Sequence, residues 1–355
     1  VLVDKDGLNL GTTQANSLSV TAGGNVFQTG AAKVTGAASI NAGANDITLD
    51  QAANDFNTLS LTGGRLTVVD ATALQLGATS GTAFGLTTGG DITQLDKTSI
   101  TTTLGFILNA GANDVTLTNA GNDFNVIGFT AGDVSITDKN AVMLRTLTAS
   151  SLAVKAGGEV TQIGAATVTG ATSVDAGTNA VTLTQAGNDF GSVGVTAGAA
   201  SITDKNAVAL DAIKATSLTV KAGGNVTQNA AATVMGNTSV EATGFDVSLN
   251  NAGNNLNTVN ATAKDLSITD ATGGVVLGSI VATGNTTVTS TGGSIVQGEG
   301  ATLSVAGTSS LTAINDGNPA DITLTEKANT LTGAVTVAGQ NVQLTTVSNL
   351  SVSGT

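Results

Sequence analysis

A chain of 355 residues with a net charge of −13, eight Phe, one Pro and no Tyr, Trp, His or Cys is far from the composition of ordinary globular domains. Its 25 acidic and 12 basic residues, without a Lys/Arg cluster or an aromatic stacking set, argue against nucleic acid as a partner. Without Cys there is no disulfide framework or thiolate metal site, and no run of about 18 apolar residues offers a membrane-spanning helix. An apolar fraction of 41% is too high for a disordered tract, and 46 Gly off any three-residue period exclude collagen.

The first ten residues, VLVDKDGLNL, lack a basic-then-apolar signal pattern and read like the middle of a repeat, so a piece of a longer protein is expected. SLSV (17–20) follows, a short strand whose form returns as SLAV (151–154) and SLTV (217–220). Next comes a glycine pair with a strand ending in Gln, GGNVFQ (23–28), repeated as GGDITQ (89–94), GGEVTQ (157–162), GGNVTQ (223–228) and GGSIVQ (292–297). The closing residues Gln28, Gln94, Gln162, Gln228 and Gln297 are spaced 66, 68, 66 and 69. The octet LDQAANDF (49–56) returns as LTNAGNDF (117–124), LTQAGNDF (183–190), LNNAGNNL (249–256) and LTEKANTL (324–331). A strand closed by an Asp turn completes the unit, as LTVVDA (66–71), VSITDK (134–139), ASITDK (200–205) and LSITDA (266–271). Self-similarity at such a period marks a repeat architecture. The units are placed at about 17–82, 83–150, 151–216, 217–283 and 284–355. The last is lengthened around INDGNPAD (314–321), with the sole proline, Pro319, and this insertion is expected to leave the shaft as a loop.

Apolar residues alternate over very short spans, as in Ile47 and Leu49, Leu59 and Leu61, and Leu218 and Val220. Period two between Gly, Asn, Asp and Ser is a strand signal, and no stretch shows helical spacing. The expected fold is all-β, a single parallel β-helix over residues 1–355. Its stacked coils satisfy backbone groups from rung to rung. Dividing each unit into three coils of roughly 22 residues gives about 16 coils and a rod on the order of 75 Å at ~4.8 Å per rung.

The glycine pairs are expected at positive φ in corners. Asn54, Asn122, Asn188, Asn254 and Asn329 stand in all five octets. They are expected as turn residues that tolerate the left-handed conformation and bond their side chains to nearby backbone. The next position varies through Asp55, Asp123, Asp189, Asn255 and Thr330. The last is always apolar, so Phe56, Phe124, Phe190, Leu256 and Leu331 are expected in the core. The five glutamines with Asp70, Asp138, Asp204 and Asp270 complete the candidate turn and ladder set.

Sharper functions fare poorly against this pattern. The recurrent aspartates would lie one unit apart, about three rungs or ~14 Å, whereas paired glycosidase carboxyls stand roughly 5–9.5 Å apart. The usual base and sugar platform are missing with His, Tyr and Trp, and the only arginines are Arg65 and Arg145. The chain is therefore read as not an enzyme, with no catalytic, cofactor-binding or metal-binding residue and no cofactor. The calcium-loading GGxGxD nonapeptide is absent. An ice-binding face would want an outward Thr column on consecutive rungs, whereas the motif is expected back only at every third rung.

The succession GGNVTQ, VTLTQAGNDFGSV, ASITDKNAVAL and SLTVKAGGNV resembles the shaft repeats of filamentous-haemagglutinin-like exoproteins, over about residues 17–352. These are large bacterial adhesins exported by two-partner secretion. The resemblance implies a right-handed parallel β-helix, an outer-membrane secretion partner, and secretion to the bacterial cell surface. It also implies host or bacterial cell-surface receptors or glycans as partners, with no binding residue carried over. The expected function is a non-catalytic structural shaft of a secreted bacterial surface adhesin or extracellular filament that displays binding modules. Open strand edges add end-to-end self-association of copies as a further expectation. The alternatives are a carbohydrate-active β-helix of lyase or hydrolase type and an autotransporter passenger.

Overall fold

The computed structural model describes residues 1–354 and contains no helix among them. The strands form a parallel β-solenoid of about 18 turns. It divides into two compact units, Val1–Ala176 and Gly177–Thr355.

In the first unit a turn has three short sides. Val26–Gln28 is followed by Ala32–Asn41, which covers two sides, and then by Ile47–Leu49, one rung above Val26. Val26, Ala32, Val34, Ala38, Ile40 and Ala42 point inward and are at most 1% exposed. Their neighbours Phe27, Lys33 and Ser39 point outward. Three sides enclose only a narrow interior, which explains the preference for Ala, Val, Leu and Ile over aromatics. Each buried Val, Leu or Ile is worth ~1.5–3 kcal/mol, and stacking adds such layers turn by turn. The first unit also stacks rings. Phe84 and Phe106 are register partners with centroids 4.6 Å apart, and Phe106 lies 6.1 Å from Phe124.

The ladders correct the coil count. Three pairings lead from Val26 through Ile47 and Leu66 to Phe84. The repeat counterpart of Val26 is Ile92, eight residues past Phe84 and on the following side, where it pairs with Leu74 and Val115. From Ile92 three pairings lead through Val115 and Val134 to Leu152, and the next counterpart, Val160, is again eight residues further on. The second unit behaves alike. Val226 leads through Val247 and Leu266 to Thr286, and the counterpart Ile295 lies nine residues beyond. A repeat of about 66 residues therefore makes about three and a third turns of about 20 residues. The expected three coils of 22, and the total of 16, overestimated the corners. Strands such as Leu74–Thr88 and Asp189–Asp204 bend from side to side without an inserted loop.

Two conformational expectations also change. The octet asparagines are not left-handed: among the described residues the non-glycine positions at positive φ are Lys97, Asn125 and Asp316. In four of the five glycine pairs neither residue has positive φ; only Gly293 of the last pair does. What requires glycine there is contact between turns. A Cβ on Gly24 would stand 2.7 Å from the Gly7 nitrogen, and one on Gly23 would collide with the Lys5 carbonyl. The insertion in the second unit is a small antiparallel hairpin in which Asn315 pairs with Asn318. Its tip, Asp316 and Gly317, has φ of 48° and 79°. Positive φ at both tip residues is what a two-residue type I′ turn demands.

Candidate functional site

Each octet builds a buried polar corner that ties three turns together. In the first, the Gln28 and Asn54 amides bond reciprocally, both at 2.9 Å. Asn54 Oδ1 also accepts the Ala32 N–H at 2.8 Å, while its Nδ2 donates to the carbonyls of Leu49 and Val69 at 3.1 Å. The side chain thus bridges the turn below, its own turn and the turn above. Its backbone carbonyl accepts the Ala71 N–H from above at 2.8 Å. Two residues on, the Phe56 N–H faces a corner of the next turn rather than a strand. Asp70 fills the gap: its Oδ2 accepts from Phe56 at 2.7 Å and its Oδ1 from the Thr72 N–H at 3.0 Å.

The arrangement recurs. Gln94 pairs with Asn122 at 2.7 and 2.9 Å, Asn122 accepts from Ile100, and Asp138 accepts from Phe124 and Asn140. Asn188 donates to the Leu183 and Thr203 carbonyls, and Asp204 accepts from Phe190 and Asn206. Gln228 pairs with Asn254, which accepts from Ala232, and Asp270 accepts from Leu256 and Thr272. Gln297 pairs with Asn329 at 2.6 and 2.8 Å, and Asn329 accepts from Leu303. Gln162 closes the strand Val160–Gln162. All five asparagines are fully buried, and the apolar residues two positions on are at most 2% exposed.

Burial raises the carboxyls of Asp70, Asp138, Asp204 and Asp270 above the ordinary aspartate value, against the backbone N–H groups that pull them down. The aspartates inside the octets point outward, and Asp189 behaves oppositely. Asp189 is bonded to Lys205 at 2.8 Å, which lowers its carboxyl, and Asp123 meets Lys139 at 2.9 Å. Both pairs are solvated and contribute little. That explains why this position tolerates Asn255 and Thr330 whereas the preceding Asn is the same in all five octets and the following residue stays apolar.

The corner binds main chain. Its oxygens and amides are engaged by backbone N–H and C=O groups of neighbouring turns, and the four recurrent aspartates are enclosed within separate repeats rather than gathered in a groove. Among the described residues no three His, Cys, Asp or Glu side chains form a group fit for a metal ion, and no helix is long and apolar enough to cross a membrane. One outward ladder in the second unit carries Ser248, Ser267, Thr287, Ser310, Thr336 and Ser353 on successive rungs. Hydroxyls therefore do recur at every rung there. The all-threonine column beside it, Thr269, Thr289 and Thr312, ends at Ala338.

The fifth corner lacks the aspartate, and no sequence signal marked its replacement. Thr346 and Ser348 accept the Leu331 N–H through their hydroxyls at 3.3 and 3.1 Å. A family model described as repeats of unknown function (DUF5649) matches residues 1–62, 63–128, 131–196, 197–263 and 263–338. No curated protein and no solved structure matches the chain.

Proposed function

The chain belongs to the DUF5649 family of repeats, and from that starting point we propose that it is a non-catalytic shaft of a secreted bacterial surface adhesin or extracellular filament. One observation carries this reading. The recurrent polar residues of each repeat turn inward and bond the main chain of adjacent turns, so what the repeat maintains is the coil itself. A structure of this kind gains stability by nearest-neighbour stacking and can be extended by adding repeats. The resemblance of GGNVTQ, VTLTQAGNDFGSV and ASITDKNAVAL to filamentous-haemagglutinin-like shafts supports export through an outer-membrane partner and display at the cell surface. Receptors or glycans of host or bacterial cells would then be met by modules that the shaft carries. Stacking of copies through open strand edges would extend it.

Location tests the reading directly. Antibodies against the hairpin at 314–321 should label intact cells producing the full-length precursor, and external protease should remove the label. Labelling only after permeabilisation would overturn it. Electron microscopy of the isolated chain should show end-to-end fibres if copies stack, and single particles at all concentrations would rule stacking out.

A further inference from the structure

Arg65 and Arg145, the only arginines of the chain, line one surface cavity of about 360 Å³ in the first unit. The ladder brings them together. From Leu66, beside Arg65, successive rungs run through Phe84, Phe106 and Ile127 to Leu144, beside Arg145. Both guanidinium side chains therefore rise from the same side of the coil, over the few rungs between them.

The surface between them is unusually bare. Ala83, Gly85 and Gly105 provide its floor, and Gly128 lies under Arg145, where an added Cβ would stand 3.0 Å from the arginine Cβ. A register shift between Gly81 and Ala83 against Thr102 and Gly105 pushes Leu104 outward. Leu104 and Ile107, 68% and 50% exposed, form apolar flanks. Neither guanidinium has an ion-pair partner among the described residues. Asp46 accepts the backbone N–H of Arg65 at 2.8 Å. In three of the other repeats the Arg65 position holds Asp133, Ala199 and Asp265, and the Arg145 position holds Gly77, Asp211 and Gly278. Two independent departures from the repeat thus place two uncompensated cations at one cavity of a strongly acidic chain.

We propose that this cavity binds an acidic oligosaccharide, with the two guanidinium groups receiving carboxylates of a uronic-acid chain. A guanidinium fork matches a carboxylate with two parallel hydrogen bonds. The flat Gly/Ala floor and the Leu104 and Ile107 flanks suit the apolar C–H face of a sugar ring. The volume falls within the usual range for small-ligand sites. An acidic peptide is disfavoured because the strands under the cavity are paired on both edges, leaving no edge for strand addition. The site stands whether or not the coil serves as a shaft.

Calorimetric titration of the whole chain at low salt tests the proposal, with a short oligogalacturonate as probe. Its methyl ester, an oligoglutamate and inorganic phosphate serve as comparisons. Saturable binding of the oligogalacturonate, loss with the methyl ester, and weakening by about tenfold or more in Arg65→Ala and in Arg145→Ala are expected. Arg→Lys at both positions should recover only part of the affinity, because the charge returns without the fork. Both side chains are exposed, so the variants should melt like the parent, and an unchanged melting curve makes any loss of binding local. Absence of binding, equal binding by the double alanine variant, equal binding of oligoglutamate, or saturation by phosphate as an adventitious ion only would each overturn it.

Discussion

At the fourth corner the Leu256 N–H is received by the Asp270 carboxylate at 2.6 Å, and the same oxygen pair takes the Thr272 N–H at 3.2 Å. At the fifth corner the Leu331 N–H is received by the hydroxyls of Ser348 and Thr346. Thr346 occupies the position where the other repeats carry Asp. The Asn, its Gln partner and the apolar residue that follows are retained in both. The comparison shows that the coil needs an acceptor at this point and does not need a charge. The amide of the asparagine, which must donate and accept at once, has no such substitute.

The largest effect should come from the shared residue. Asn254→Asp keeps the shape but removes the donors to the Leu249 and Thr269 carbonyls and buries a carboxylate. A loss of about 3–5 kcal/mol is expected from urea unfolding, and Asn329→Asp should cost a comparable amount. If the two differ widely, the corners are not equivalent at their centre.

Next comes the residue that distinguishes them. Asp270→Ala leaves the buried Leu256 N–H without an acceptor, at about 1–3 kcal/mol, and also removes the acceptor of the half-buried Thr272 N–H at a smaller cost. Thr346→Ala should lose only about 1 kcal/mol, since Ser348 still receives the Leu331 N–H. Equal losses at the two sites would refute the substitution argument.

A smaller, pH-dependent effect follows from burial. Burial raises the folded-state carboxyl of Asp270 above the ordinary aspartate value, so the folded chain holds that proton more tightly than the unfolded one. Its contribution to stability is complete below the unfolded value and is lost as pH rises through the folded value. The parent should therefore gain on Asp270→Asn as pH is lowered from neutrality, read as the difference between their urea midpoints. A difference that moves the other way would mean that the N–H bonds outweigh desolvation. Smallest of all, Lys205→Ala removes only a solvated pair with Asp189 and should stay within about 0.5 kcal/mol of the parent.

Much of this architecture is legible in the sequence. Alternation over three to five residues and the returning octet point to a parallel coil, and the invariant Asn beside a variable Asp separates an inward column from an outward one. The number of turns was not legible, because the repeat length divides conveniently by three while the physical unit is a side. Glycine pairs are ambiguous by nature: positive φ and close approach of neighbouring turns both demand the absence of Cβ, and only Gly293 takes the first route. Thr346 and Ser348 carry no sequence signal, because hydroxyl residues are abundant and geometry alone makes these two acceptors. The convergence of Arg65 and Arg145 depends on ladder register across several rungs, which no local pattern encodes.

The fractional turn left over by each repeat turns a linear array into a rotary one. Within the first unit, Val26 and its counterpart Ile92 lie on consecutive sides of the coil, so equivalent residues of adjacent repeats face different ways. A substitution acquired by one copy is therefore presented in a different direction from the same substitution in its neighbour. Within one unit, loss or duplication of a copy would swivel the coil that follows it by about a third of the circumference.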